Sequence, residues 1–352
     1  MKKLLLVASW IALGSMASAG VKNLPYGIFF LPAVATSASQ DPHHWPVWDN
    51  VHVFGVVARV SWAYLEPNEG QFNWAYLDAI RDLALETGTF WEIEVASGEK
   101  IGANTPFYPA WVVADGAKTV TLHSDTGSPA TICVPWDPVF QAKWNALIQA
   151  MGARYDSIEL LRAVQMTGVG RDGECYLCSN DPNYISDWQW VLSQTPGGTV
   201  AEGEQLWVNA AETIASFYAT AFRQTPFLYS TGSPIPRSVD RHNVTMATVV
   251  AALHAAYNSG HPWRFGTRSS GYYYNGPINP WGAKDGIFFL GYQQNAPQGS
   301  RAAAEALQVY QSPYNGLWFE VYSNDCMNTS NFSAFDTFNS QTAAMVGPKA
   351  YQ

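Results

Sequence analysis

The chain has 352 residues, 47% of them hydrophobic, and a formal net charge of −9 from 19 Lys+Arg against 28 Asp+Glu. That balance leaves no basic stripe for nucleic acid or an anionic lipid surface, while the apolar content is enough to fill one large core. Fifteen Trp and 18 Tyr supply rings both for that core and for stacking on the C–H faces of sugars.

The chain opens with Lys2 and Lys3, an apolar run over 4–16, and Ala17-Ser18-Ala19. A positive start, a short apolar stretch and an A-x-A site predict a bacterial signal peptide over 1–19, cleaved before Gly20. Residues 20–352 are then expected to form one soluble exported domain, secreted or periplasmic. No later stretch reaches the roughly 18 uninterrupted apolar residues that spanning a membrane needs.

Eight apolar, β-branched or aromatic runs follow, at 26–31, 53–62, 90–96, 161–167, 226–230, 264–269, 287–292 and 317–322, and each is predicted to be a strand. Helical spacing lies between them. Trp74, Leu77, Ile80, Leu83 and Ala84 share one face of a helix over 73–87, with Asn73 as its N-cap. Asp137 is a cap followed by Pro138 at the first helical position, and Phe140, Trp144, Leu147, Ile148 and Met151 form the buried stripe behind it. Further helices are expected over 203–223, 244–258 and 301–311. Repeated strand–helix alternation argues for parallel strands with helical crossovers, the α/β class, and eight strands favour a closed (β/α)8 TIM barrel over an open sheet. The irregular stretches 98–135 and 271–282 are expected to be functional loops after the third and sixth strands rather than domain boundaries.

Two carboxylates stand where such a barrel would carry chemistry. Glu174 follows the fourth strand behind Gly168, Gly170 and Gly173, and Glu320 ends the last strand among Trp318, Phe319 and Tyr322. A pair of acids at one end of a barrel is what cleavage of a glycosidic bond requires, because one protonates the leaving oxygen while the other attacks the anomeric carbon or activates water. An unpaired carboxylate in so apolar a strand is costly unless it is used or bonded. Glu92 and Glu94, two apart on the third strand, compete with Glu320. On one face of that strand they either bind substrate, or replace Glu320, or form ion pairs with barrel-lining arginines.

The run ARVSWAYLEPNEGQFNWAYLDAIRDLA resembles the second strand and helix of clan A glycoside hydrolases, the retaining (β/α)8 enzymes that include families 5, 35 and 42. Arg59, Trp62, Glu66, Pro67, Gly70, Phe72, Trp74, Leu77 and Asp78 match an Arg, a Trp, a Glu-Pro-x-x-Gly-x-(Phe/Tyr)-x-Trp segment and a Leu-Asp helix. The resemblance implies that Glu174 is the acid/base, that Glu320 is the nucleophile, and that Arg59 bonds Glu320 and keeps it ionised. A retaining double displacement then demands carboxyl groups about 5 Å apart, whereas about 7 to 9 Å makes Glu320 a base and the outcome inverting.

Two features depart from the clan pattern. Gly173 stands where an Asn usually binds the sugar 2-hydroxyl, leaving Gln165, Arg171 or Asp172 as candidate donors, and Glu320 falls on the eighth strand rather than the seventh. The glycine keeps open a non-hydrolytic carbohydrate-binding barrel, with a lyase as a third reading. A carbohydrate is the expected partner, with no metal, cofactor, nucleic acid or membrane implied.

Trp111, Trp136, Tyr272, Tyr273 and Trp281 lie on predicted loops, where either sugar stacking or loop packing accounts for them. Trp62 and Trp318, on strands, either floor the innermost subsite or fill the barrel, and Tyr322 is placed with them as a substrate contact. Asn324 and Asp325 either bond substrate hydroxyls or cap the final loop. Of the four cysteines, Cys175 is expected to pair with Cys178 and Cys133 with Cys326, as an oxidising compartment allows.

Overall fold

The computed structural model describes residues 22–99, 105–123, 127–170, 182–231, 265–272, 275 and 289–346. Eight parallel strands close into a barrel: β1 (Gly27–Leu31), β2 (Gly55–Ser61), β3 (Phe90–Ala96), β6 (Leu161–Met166), β7 (Phe227–Thr231), β8 (Phe265–Tyr272), β9 (Leu290–Gln294) and β10 (Trp318–Tyr322). They neighbour one another in chain order, and β1 pairs with both β2 and β10 to close the ring. Each of the eight predicted runs is a barrel strand, so Glu320 does stand on the eighth.

The described residues of the stretch 98–135 include regular elements that were not expected there. Between β3 and β6 it holds an antiparallel hairpin of β4 (Thr119–His123) and β5 (Pro129–Cys133). Its residues alternate with period two, and Leu122, Ala130 and Ile132 supply the buried side.

Strand alternation separates two cores. Outward residues such as Ile28, Phe30, Val56, Val60, Ile93, Val164, Phe227 and Val321 meet the helices in one large apolar layer. The expected stripes are there: Leu77, Ile80 and Ala84 from the helix Ala75–Thr87, and Phe140, Trp144, Leu147, Ile148 and Met151 from Pro138–Tyr155. Inward residues Phe29, Leu31, Val57, Ala163, Leu228, Phe289 and Trp318 fill the lumen. The largest rings fit because glycines face them. A Cβ at Gly55 would lie 2.5 Å from the Phe29 ring, one at Gly266 2.5 Å from Phe289, and one at Gly291 would overlap Trp318.

The helix signals place some of the helix starts and miss others. Asp137 accepts the backbone N–H groups of Val139 and Phe140, both at 3.0 Å. The helix Ala75–Thr87 begins later than expected, with Trp74 at the N-cap and Asn73 Oδ1 accepting only the Ala75 N–H at 3.4 Å. The helix Val200–Ala221 begins earlier, because Thr199 and Glu202 form a capping box that sets its first turn. Helices Ile185–Ser193 and Phe332–Met345 are present without having been anticipated, and 244–258 lies outside the described residues.

The expected Cys133–Cys326 bridge is absent. Both are buried free thiols. Cys133 belongs to the hairpin, while Cys326 packs behind the last strand with Sγ 3.2 Å from the Val321 carbonyl. Cys175 and Cys178 lie outside the described residues.

Candidate active site

The turn after β2 is built by its own polar groups. Glu66 accepts the Trp62 indole N–H at 2.7 Å and the Gly70 backbone N–H at 2.8 Å, with Gly70 at a φ of 70° that suits glycine. Asp78 then accepts from Arg81 at 2.7 Å, Arg154 and the Tyr155 hydroxyl at 3.0 Å. These bonds give Glu66, Gly70 and Asp78 structural work, fixing the helix against the barrel.

Polar residues occupy the lumen beyond the aromatic floor. Arg59 Nε and Nη2 bond Glu94 Oε1 at 3.0 and 2.9 Å. Arg268 Nη1 bonds Glu94 Oε2 at 3.1 Å and Glu320 Oε2 at 2.6 Å. Its Nη2 donates to Ser230 Oγ at 3.3 Å, and the Trp318 indole N–H reaches Glu320 Oε1 at 3.4 Å. The result is a chain Arg59–Glu94–Arg268–Glu320 across the barrel. Its last three members are completely buried, and only Arg59, with 13% of its side chain exposed, reaches toward solvent.

Glu92 lies in the same lumen, also completely buried, and neither carboxyl oxygen has a hydrogen-bond partner among the described residues. Burial pushes its carboxyl well above the usual range, helped by the negative charge of Glu320 and opposed by Arg268. Glu320 is pushed up to about 7, again by burial first, with Arg268 pulling the other way and Glu94 adding repulsion.

The expected Arg59–Glu320 bond is replaced by another. Arg59 and Glu94 are register neighbours on adjacent strands β2 and β3, whereas β1 separates β2 from β10. Arg268 supplies the cation for Glu320 instead. Sequence reasoning did not single it out, although alternation along Phe265-Gly266-Thr267-Arg268 turns it inward with Gly266. The seventh strand offers Gln293, a register neighbour of Glu320, at its inward position. Gln294 instead bonds Glu305, Asp325 and the Tyr322 backbone.

The other expected site residues divide sharply. Glu174, Gly173, Arg171, Asp172, Tyr273 and Trp281 lie outside the described residues, and of Tyr272 only its place at the end of β8 is described. Trp62 is no subsite floor: it opens the short helix Trp62–Leu65, buried in the outer core with its ring 5.0 Å from Trp144 and 5.9 Å from Trp111. Trp111 donates to the Glu66 carbonyl at 3.0 Å and lies under Lys143, and Trp136 stacks on Trp190 at 5.9 Å, so both have packing roles. Trp318 fills the barrel, while the half-buried Tyr322 is the aromatic next above Glu320 on the same strand face. Asp325 caps the Gln298–Gly299 turn at 2.5 and 2.9 Å, leaving Asn324 exposed. Gly168, at a φ of 96°, makes room for Trp144, since a Cβ there would lie 2.6 Å from its Nε1.

Among the described residues no cluster of His, Cys, Asp or Glu has the grouping of a metal site, and no helix is long and apolar enough to cross a membrane. The eight-stranded parallel barrel ringed by helices, with the Arg59–Asp78 segment on its second unit, has the (β/α)8 architecture that clan A glycoside hydrolases share, and the chain is similar to them. The more particular likeness is to glycoside hydrolase family 42, whose model, described as beta-galactosidase, matches residues 50–188.

Among solved structures, the catalytic domain of a beta-amylase from Paenibacillus polymyxa superposes with a TM-score of 0.61 at 11% identity, covering 91% of this chain and 98% of that one. A beta-galactosidase from the psychrophilic Marinomonas ef1 gives a TM-score of 0.49 at 11% identity over 92% of this chain and 61% of that one. No curated protein sequence matches the chain.

Proposed function

We propose that the protein is an exported glycosidase that hydrolyses an oligosaccharide or polysaccharide by retaining double displacement. Glu174 is the acid/base and Glu320 the nucleophile. The observation that carries this reading is the Glu320 carboxylate, directed into the lumen above Trp318 and held there by Arg268. Glu174 protonates the glycosidic oxygen while Glu320 attacks the anomeric carbon. Glu174, now a base, then takes a proton from the water that releases the sugar, so two inversions restore the configuration. A terminal β-galactoside is the first substrate to try, because the family model over 50–188 is described as beta-galactosidase. Export rests on the basic, apolar and A-x-A pattern of residues 1–19.

One observation favours a second assignment of the nucleophile. Arg59, the arginine that clan resemblance places beside that group, bonds Glu94. Kinetics of Glu320→Gln and Glu94→Gln on an activated aryl glycoside separate the two. If Glu320 is the nucleophile, Glu320→Gln loses on the order of a thousandfold or more in kcat and yields no burst of aglycone. Glu94→Gln loses less and keeps the retained anomer in the first product. The reverse ranking moves the nucleophile to β3.

A further inference from the structure

Among the described residues the lumen holds three carboxyl groups and two guanidinium groups, gathered in one polar cluster. Glu94 and Glu320 share Arg268 Nη1, Arg59 completes the pairing of Glu94, and Glu92 bonds to none of them. With Glu94 and Glu320 ionised the two guanidiniums are balanced, and a third anion would leave a net negative charge in a space that water reaches poorly. An acid with two unsatisfied oxygens is itself a burden on stability, so its presence invites a functional account. The charged groups acting on Glu92 come from every side: Glu94 on its own strand, Arg59 from β2, Arg268 from β8 and Glu320 from β10.

We propose that Glu92 is the reserve anion of the lumen, an acid that stays protonated while Glu320 is charged and releases its proton to water, becoming the partner of Arg268, whenever Glu320 loses its charge. Esterification of Glu320 by a sugar removes one negative charge from beside Arg268, and ionisation of Glu92 restores it. The carboxyl O–H of Glu92 breaks, its electron pair stays on the carboxylate, and no redox change is involved. In this role Glu92 is a positioning residue for the glycosyl-enzyme stage. The catalytic use of this exchange rests on the Glu320 reading, but the exchange itself is a property of the cluster.

A double-mutant cycle on folding tests it without any turnover. Glu92→Gln keeps the charge count and is expected to move the thermal midpoint at pH 8 by no more than about 2 °C. Glu320→Gln mimics the uncharged ester, and Glu92 should compensate for it. Removing both, in the double variant, leaves Arg268 with only its share of Glu94, and the loss in midpoint should exceed the sum of the single losses by about 5 °C or more. Failure of the double variant to fold while both single variants fold counts as the same result.

Carboxyl-carbon NMR on protein labelled at glutamate gives a second readout. The Glu92 signal, assigned by its absence in Glu92→Gln, should be that of the acid at pH 8 in the wild type and that of the carboxylate at pH 8 in Glu320→Gln. Additive losses together with an ionised Glu92 in the wild type would overturn the proposal. An inactive Glu320→Gln that still shows the switch supports it, whatever the kinetic assignment of the nucleophile turns out to be.

Discussion

The two halves of the barrel lumen obey different physics. At the floor, Phe29, Phe289 and Trp318 lie across Gly55, Gly266 and Gly291, and the space is filled by rings with hardly a polar atom to satisfy. Above it, at the level of Arg268 and Glu320, the same strand positions carry guanidinium and carboxyl groups that no core requires. Burying an ion pair seldom gains stability over apolar packing of equal volume, whereas losing one partner is costly. The contrast teaches that the floor holds the fold, while the upper half carries buried charge that packing alone does not call for.

Truncating the floor should have the largest effect on stability. Trp318→Ala is expected to cost about 3 to 5 kcal/mol in urea unfolding, with only a small increase from pH 5 to pH 8, because the one titrating group at the cavity it leaves is Glu320, which its indole N–H reaches at a long 3.4 Å. Arg268→Met should cost about 3 kcal/mol at pH 8 and clearly less at pH 5.

The sign of that pH dependence follows from Glu320. Its folded pKa is raised to about 7, so the stability linked to its protonated form is complete below its ordinary range and fades as pH rises through 7. Removing the cation raises that pKa further and steepens the loss. Equal costs at both pH values would place Arg268 with the floor rather than with the reacting groups. The smallest effect lies outside the lumen: Asp137→Ala removes two cap bonds and should cost about 1 kcal/mol, with turnover per folded molecule unchanged.

The fold was legible in the sequence because each barrel strand is a compact apolar run, those at 264–269 and 287–292 included. The cap at Asp137 was legible for the same local reason. What escaped was whatever depends on partners across the barrel. Arg59 was expected at Glu320 because the clan motif names a residue type and not a register, and the register sets it beside Glu94. Arg268 escaped because a single cation in a small-residue strand carries no local signal beyond alternation. The rings of Trp62, Trp111 and Trp136 sit on turns and short helices, where sequence cannot distinguish a sugar platform from the packing that they do.

The central claim is that the Glu320 carboxylate attacks the anomeric carbon. Incubation with a panel of 2-deoxy-2-fluoro glycosides bearing good leaving groups, followed by proteolysis and mass mapping, tests it directly. One equivalent of sugar is expected, attached to the peptide that contains Glu320. A label on Glu94, or hydrolysis of active substrates with no trapped sugar and an inverted first product, would contradict it.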